Sequence, residues 1–305
     1  MPFFTVIVPT HGRPLLLLET LRSILSQSFK DFEVIVIDDC SPDDPTEAIL
    51  ALDASIRVFR QPTNQGPGAA RNVGISNARG SYVAFIDDDD LWPPWTLLTY
   101  ASAIIRNNQP SVISTNGVSF RDVSEVSHIR DGAVQEQVFS DYLHYRTNPN
   151  QPGWLTTCGM AIRREALLET GGFDPTFTYH EDEDMWLMLG TEPGFVRLAQ
   201  PYCWFYRSHA SMSSNLAVRF QNVERLMAKE RQGAYPGGMS RTRERMEVIT
   251  QNGRHLARRG AREGFQAAAA RLYGDMFGWN VSLARWKFLS VFPVELAAGR
   301  FLKPL

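Results

Sequence analysis

Cysteine is scarce in this chain: Cys40, Cys158 and Cys203 are the only three in 305 residues, far apart and without a CxxC pair. That excludes a secreted disulfide framework and a zinc ribbon, and it fits thiols kept reduced in the cytoplasm. Long apolar runs are missing as well. No stretch reaches the roughly 18 consecutive apolar residues of a membrane span. The opening MPFFTVIVPTHGR has neither a basic n-region nor a small-residue cleavage site, so no secretory leader is expected. No internal repeat is visible. Three familiar signatures fail on single residues. His180-Glu181-Asp182-Glu183-Asp184 is not HExxH, because Asp184 stands where the second histidine belongs. Gly66-Pro67-Gly68-Ala69-Ala70-Arg71 is not GxGxxG, because Arg71 takes the third glycine position. The acidic run from Asp87 is not an EF-hand loop, because Leu91 holds its fifth position and Trp92 the place of its glycine.

What remains is an ordinary globular composition, 44% hydrophobic and 21% charged. Its length suffices for a large core in one domain or two. The net charge of −2 hides a division. Residues 1–215 carry 15 Lys+Arg against 26 Asp+Glu, a net −11, whereas residues 216–305 carry 16 against 7, a net +9. Such a split suggests two functional parts.

The first part alternates strand and helix signals. Phe4 to Val8, stopping at Pro9, Phe32 to Ile37, Ile56 to Phe59 and Tyr82 to Ile86 read as strands. Leu15, Leu18, Leu21, Ile24 and Leu25 recur at helical spacing after Pro14, and Ala69 to Ala78 reads as a helix closed by Gly80. This alternation predicts a mostly parallel, doubly wound sheet. Ligands in such sheets bind beyond the carboxyl ends of the strands, where Thr10, Asp38, Asp39 and Asp87–Asp90 fall. Further on, 148–154 is the most loop-like stretch. Met160 to Arg163 then predicts a strand, Arg164 to Thr170 and Asp182 to Leu189 helices. Residues 216–305 read as mostly helical, divided at Gly237-Gly238.

Four constellations carry chemistry. Phe85-Ile86-Asp87-Asp88-Asp89-Asp90 crowds carboxylates at a strand end, which costs stability unless a cation neutralises them. A hard divalent ion with oxygen ligands fits, with positions left for substrate phosphates. The turn Asn64 to Asn72 opens a helix and presents Arg71 one turn in, either as a plain helix start or facing an anionic or nucleobase ligand. His180 to Trp186 places acids at a helix start, as dipole complements or as a general base. Tyr206-Arg207-Ser208-His209 follows a strand-like run, and His209 is open to a ligand or a structural role.

Together these motifs resemble glycosyltransferase family 2, inverting enzymes with the GT-A nucleotide-diphospho-sugar transferase fold. The resemblance rests on TVIVPTHGRPLLLLETLRSILSQSFKDFEVIVIDDCSPDD, NQGPGAARNVGISNARGSYVAFIDDDDLWPP, CGMAIRREALLETGGFD, HEDEDMWLML and YRSHASMS, in order over about residues 3–213. It implies an α/β GT-A catalytic domain over 1–215; the basic, mainly helical extension over 216–305, read from composition and charge, lies beyond its motifs. It implies nucleotide-sugar contacts from Pro9, Thr10, His11, Arg13, Asp39, Arg71, Asp87, Asp88 and Arg207. Asp89 is the implied Mn²⁺ or Mg²⁺ ligand, with Asp87 and His209 beside it. Asp182 is the implied catalytic base, with Glu181 and Trp154 towards the acceptor.

Two features depart from the family's pattern, the first leaving open which acids bind metal and the second setting the chain apart from relatives that extend polysaccharides. Asp88 replaces the small residue between the DxD acids, and the glutamine-x-x-arginine-tryptophan motif is absent. A non-processive hexosyl transfer from a nucleotide-diphospho-sugar, UDP by default, to a glycan or lipid-linked acceptor is the expected activity. The setting expected is surface polysaccharide, lipopolysaccharide or glycolipid synthesis. A nucleotidyltransferase with a related sheet would begin with a glycine-rich basic loop, which Pro9-Thr10-His11-Gly12-Arg13 is not; a sugar-nucleotide-binding scaffold would have a broken DxD or no base. The C-terminal part combines a basic stretch from Arg241 to Arg262 with Trp279, Trp286, Phe288 and Phe292. Peripheral contact with an anionic membrane, contact with the acidic catalytic part and an oligomer surface all fit; nucleic acid is not expected, since no binding motif accompanies the charge.

Overall fold

A computed structural model describes residues 1–150, 155–200, 202–207 and 215–299. The strands are β1 (Phe4–Thr10), β2 (Phe32–Asp38), β3 (Arg57–Arg60), β4 (Tyr82–Phe85), β5 (Val112–Thr115), β6 (Gly117–Phe120), β7 (Gln135–Phe139), β8 (Met160–Arg163), β9 (Phe195–Gln200) and β10 (Trp204–Arg207). The helices are α1 (Pro14–Leu25), α2 (Thr46–Leu52), α3 (Pro67–Asn77), α4 (Thr96–Arg106), α5 (Tyr142–Thr147), α6 (Arg164–Glu169), α7 (Glu181–Met188), α8 (Leu216–Arg231), α9 (Thr242–Arg262), α10 (Gln266–Ser282) and α11 (Trp286–Gly299).

Eight strands form one sheet in the order β3-β2-β1-β4-β8-β5-β9-β7, and β10 pairs with β6 in a second, two-stranded sheet. The β3-β2-β1-β4 half is parallel, as the alternation predicts. The other half is mixed: β8 runs antiparallel to both β4 and β5, and β7 antiparallel to β9. The sheet is thus parallel in four of its seven pairings, with antiparallel β8 and β7 mixed into its second half. Strand β1 also runs past Pro9 to Thr10. The Ile7 carbonyl points towards β4, accepting from the Ile86 amide at 3.3 Å. Pro9, two residues on, faces the same way beyond the last β1–β4 pair, so its missing N–H breaks no ladder bond.

Period-two patterning sorts the β1 and β2 side chains onto two cores. Phe4, Val6, Val8, Val34 and Val36 join Leu17 and Leu21 of α1, Ile49 of α2 and Leu97 of α4 on one face. Ile7, Ile35 and Ile37 face the other way, with Ala70 of α3, Leu167 of α6 and Met185 of α7. The α3 helix lies close on β1: a Cβ on Gly74 would come within 2.6 Å of Ile7.

The second core continues without a break into the C-terminal helices, taking in Phe220, Val223, Ile249, Leu256, Leu272, Phe288 and Phe292. Gly237 and Gly238 both have positive φ in the turn between α8 and α9. Buried Arg245 closes that turn, pairing with Glu230 at 2.5 Å and donating to the carbonyls of Pro236 and Gly238. No helix among the described residues is long and apolar enough to cross a membrane.

Candidate active site

Because β1 lies between β2 and β4, their carboxyl ends deliver Thr10, Asp39 and Asp87–Asp90 to one place. A cleft of about 670 Å³ opens there. Pro9, Thr10, His11, Arg13, Asp39, Arg71, Asp87, Asp88, Asp89, Glu181 and Arg207 all line it. Asn64, Gly66, Pro67 and Ala70 of the turn that opens α3 line it too, as do Tyr206 and two residues that sequence reasoning missed, Thr156 and Trp204. Trp154 and His209 lie outside the described residues.

The acids differ sharply in environment. Asp88, Asp89 and Asp90 are buried, whereas the Asp87 side chain is 42% exposed. Thr10 Oγ1 donates to Asp88 at 2.6 Å, and the Arg13 guanidinium reaches Asp88 at 3.3 Å and Asp89 at 2.5 Å. Burial, followed by the charges of Asp89 and Asp87, pushes the Asp88 carboxyl up to about 6, against the Thr10 bond and the charge of Arg13. Asp90 lines the cleft as well, but its own bonds run to β10. It accepts from the Trp204 indole at 2.6 Å and from the Arg207 amide at 3.1 Å. Leu91 and Phe205 exchange two backbone bonds of 2.8 Å beside it, which hangs β10 on the acidic loop and brings Arg207 to the cleft. Arg207 then spans to Glu19 at 2.7 Å and covers the Phe120 ring. Cys158 Sγ lies within 4.8 Å of Asp87 and Asp90 carboxylate oxygens. Burial and those two charges raise its pKa well above the usual thiol value.

Asp38 and Asp39 part company. Asp38 is fully buried, accepts from the Ser41 amide and pairs with Arg60 at 2.9 Å, so it anchors the loop rather than lining the cleft. Asp39 reaches across to the start of α3, accepting from the Gln65 amide at 2.8 Å, the Gly66 amide at 2.7 Å and the Gln61 side chain at 2.9 Å. Its carbonyl meets His11 Nδ1 at 2.9 Å. Asp39 thus holds the Asn64–Gly66 turn against the end of β1.

Arg71 is the bridge across the cleft. Buried on α3, it bonds Asp87 at 2.8 Å, approaches Glu181 at 3.5 Å and lies over the Phe173 ring. Asn72 doubles the link, donating to the Phe173 carbonyl at 2.7 Å and accepting from its amide at 2.8 Å. Gly172, at φ +76°, permits this approach: a Cβ there would fall 2.4 Å from the Asn72 oxygen. The Gly171-Gly172-Phe173-Asp174 run therefore serves to seat the start of α7 beside α3.

Helix α7 begins with Glu181 and Asp182. Its preceding residue, His180, sits in the left-handed region at φ +62°, a conformation costing about 1–3 kcal/mol unless surroundings impose it. Here they do: His180 Nδ1 lies 3.2 Å from Glu183, and buried Glu183 also accepts from Asn252 of α9. Asp182 Oδ1 accepts from the Glu183 amide at 2.7 Å. Burial, then the charges of Glu181 and Glu183, push the Asp182 carboxyl up to about 7 against the opposing His180. Asp182 itself is not among the cleft-lining residues; its neighbour Glu181 is. Behind it the helix is tied to α8. Lys229 bonds Asp184 at 2.7 Å and Asp174 at 3.3 Å, the Tyr235 hydroxyl bonds Asp184 at 2.7 Å, and Asn222 donates to the Tyr179 carbonyl at 2.7 Å. Chemically, the cleft offers carboxylate oxygens for a cation, guanidinium groups for an anion, and a carboxyl poised near neutrality at its rim.

Comparison with known proteins gives this arrangement a context. A family model described as Glycosyl transferase family 2 matches residues 5–171. An uncharacterized glycosyltransferase of Haemophilus influenzae is 29% identical over 229 residues, 69% of this chain and 71% of that protein. The poly(ribitol-phosphate) beta-N-acetylglucosaminyltransferase TarS of Staphylococcus aureus is 32% identical over 240 residues, 74% of this chain but 40% of its own length. The crystal structure of TarS residues 1–349 in complex with UDP-GlcNAc superposes with a TM-score of 0.56 at 19% identity, covering 92% of this chain and 91% of that one. The mannosyltransferase PcManGT of Pyrobaculum calidifontis, in complex with GDP-Man and Mn²⁺, gives a TM-score of 0.54 at 19% identity, covering 98% and 86%. These likenesses show a GT-A glycosyltransferase fold with added C-terminal helices.

Proposed function

The chain belongs to glycosyl transferase family 2, and from that premise we propose a metal-dependent, inverting transfer of one sugar from a nucleotide-diphospho-sugar, UDP-linked first, to an acceptor hydroxyl of a surface polysaccharide, lipopolysaccharide or glycolipid. One observation carries this reading: strand ends and the start of α7 face each other across one cleft, with Arg71 joining Asp87 to Glu181. The UDP-GlcNAc and GDP-Man complexes of TarS and PcManGT support a nucleotide-sugar donor, and the name of TarS, a poly(ribitol-phosphate) transferase, supports a polymer hydroxyl as acceptor.

The donor end is built for charge. Thr10, His11 and the Asn64–Pro67 turn form the nucleoside wall, with Asp39 holding the turn in place. Arg13 and Arg207 meet the diphosphate. The oxygen-rich donor set fits a hard divalent ion, and the Arg13 guanidinium already occupies a cation's place against Asp88 and Asp89. Asp89 and Asp87 would hold Mn²⁺ or Mg²⁺, which offsets charge on the departing diphosphate. His209 is a further candidate ligand and Trp154 an acceptor contact.

Asp182 receives the proton. As the acceptor oxygen's lone pair attacks the anomeric carbon, the bond from that carbon to the diphosphate oxygen breaks. The hydroxyl proton passes to Asp182 and the nucleoside diphosphate leaves with the bonding electrons. Attack opposite the leaving group inverts the anomeric configuration. A carboxyl raised to about 7 suits a base that must be half-ionised near neutrality. Calorimetric titration with UDP, GDP and dTDP, each with Mn²⁺ and with EDTA, tests the donor half. Metal-dependent binding of one nucleotide is expected, and failure of all three by folded protein overturns the reading. NMR of the product anomer tests inversion.

A further inference from the structure

Helix α11 is apolar on both faces. Inward, Phe288 and Phe292 pack into the core, where Phe292 stacks on Phe288 and on Tyr273 of α10. Outward, Trp286 is 60% and Val294 67% exposed, with Val291, Pro293, Ala297 and Ala298 also exposed and Lys287 the one charged group among them. Phe277 and Val281 of α10 are exposed as well. A helix that is hydrophobic all round is ordinarily covered on every side. This one is covered on one side only, and a sizeable exposed apolar patch marks an interaction site.

The charge around the patch names the partner. Residues 216–305 carry a net +9. Arg254 lies close enough to Arg258 and to Arg285, just before α11, to feel the charge of both. Burial, then the charges of Arg285 and Arg258, pull Arg254 down to about 10 against the opposing Glu247. Glu247 and Glu295 pair with Arg285 and Arg258, and exposed Asp275 is the nearby acid outside these pairs; exposed Arg271 and Lys287 add positive charge. An apolar strip headed by tryptophan and bordered by cations is the composition of a helix that lies in the plane of an anionic bilayer.

We propose that the outward face of α11, with Trp286 and Val294 inserted among acyl chains and Lys287 at the headgroups, docks this protein on an anionic lipid surface. The chain then works at the membrane surface. The proposal is independent of the donor and of the base, so its failure leaves the transfer chemistry standing.

Sedimentation of the full chain with vesicles tests it. Vesicles of phosphatidylcholine with about a third phosphatidylglycerol are expected to bind the protein, and pure phosphatidylcholine to bind it at least about tenfold more weakly, with binding lost as salt rises. The double variant Trp286→Ala/Val294→Asp should lower the partition coefficient about tenfold or more, and Lys287→Glu several-fold. Both sites are exposed, so an unchanged melting temperature is expected and separates lost docking from lost folding. Absence of binding to anionic vesicles overturns the proposal. So does a double variant that binds like the parent chain. A concentration-dependent dimer dispersed by the double variant, without vesicle binding, would make the face a self-association surface instead.

Discussion

Lys229 and Asp184 meet across 2.7 Å with Asp184 almost wholly buried, and through them the C-terminal helices grip the helix that carries Asp182. Removing the amine leaves a carboxylate in a site that burial already makes unfavourable for charge. Lys229→Ala should therefore cost about 3 kcal/mol, read in a denaturant melt. Tyr235→Phe, which deletes one of the bonds to the same carboxylate, should cost about 1 kcal/mol. Both should lower kcat about ten- to a hundredfold while nucleotide affinity holds, because a shifted α7 displaces the base and not the donor wall. Equal losses in kcat and nucleotide affinity would refute a positioning role.

The pH dependence follows from Asp182. Its carboxyl is raised to about 7, and the protonated form cannot accept the acceptor's proton. Activity should thus be lost as pH falls through about 7, about tenfold per pH unit below it. Asp182→Asn should abolish that limb and lower turnover by about two to four orders of magnitude, with UDP binding unchanged. An acid limb that persists in the residual activity of Asp182→Asn would assign the titration to another group.

At the donor end, Asp89→Asn should reduce metal-dependent nucleotide affinity by at least about tenfold. Binding in EDTA should be little altered, since the amide still accepts from Arg13. Calorimetry with and without Mn²⁺ separates the two. Unchanged affinity with metal present would remove Asp89 from the ligand set.

Gly74 tests the seating of α3. A methyl group there would press on Ile7 at 2.6 Å, beneath the helix that presents Arg71. Gly74→Ala should lose about 1–3 kcal/mol in a thermal melt. A stability gain of the kind Gly→Ala often gives in helices would show that the contact relaxes at no cost.

Much of this was readable in the residues. Short β-rich runs, the first stopping at Pro9 and the second and fourth ending in acids, marked β1, β2 and β4 and put Thr10, Asp39 and Asp87–Asp89 in one place, because a parallel sheet aligns strand ends whatever joins them. Asp38 and Asp39 were not separable, since alternation along a strand says which side each faces but not what waits there; Arg60 and the Gly66 amide decided it. The antiparallel insertion of β8 was hidden because a short apolar run carries no direction. The partners of α7 were hidden for a different reason. Lys229 and Asn252 lie 45 and 69 residues beyond the carboxylates they hold, and nothing local in a basic helical segment announces so distant a contact.

One guanidinium serves both ends of the cleft. Whatever draws Asp87 away from Arg71 leaves that positive charge to Glu181, beside the base, and favours ionisation there. By linkage the relation must run backwards with equal strength: proton uptake at the start of α7 must alter the hold on whatever occupies Asp87. Donor and acceptor then cannot be indifferent to each other. Through Arg71, a single buried side chain 5% open to water, each would bind with an affinity that depends on the other.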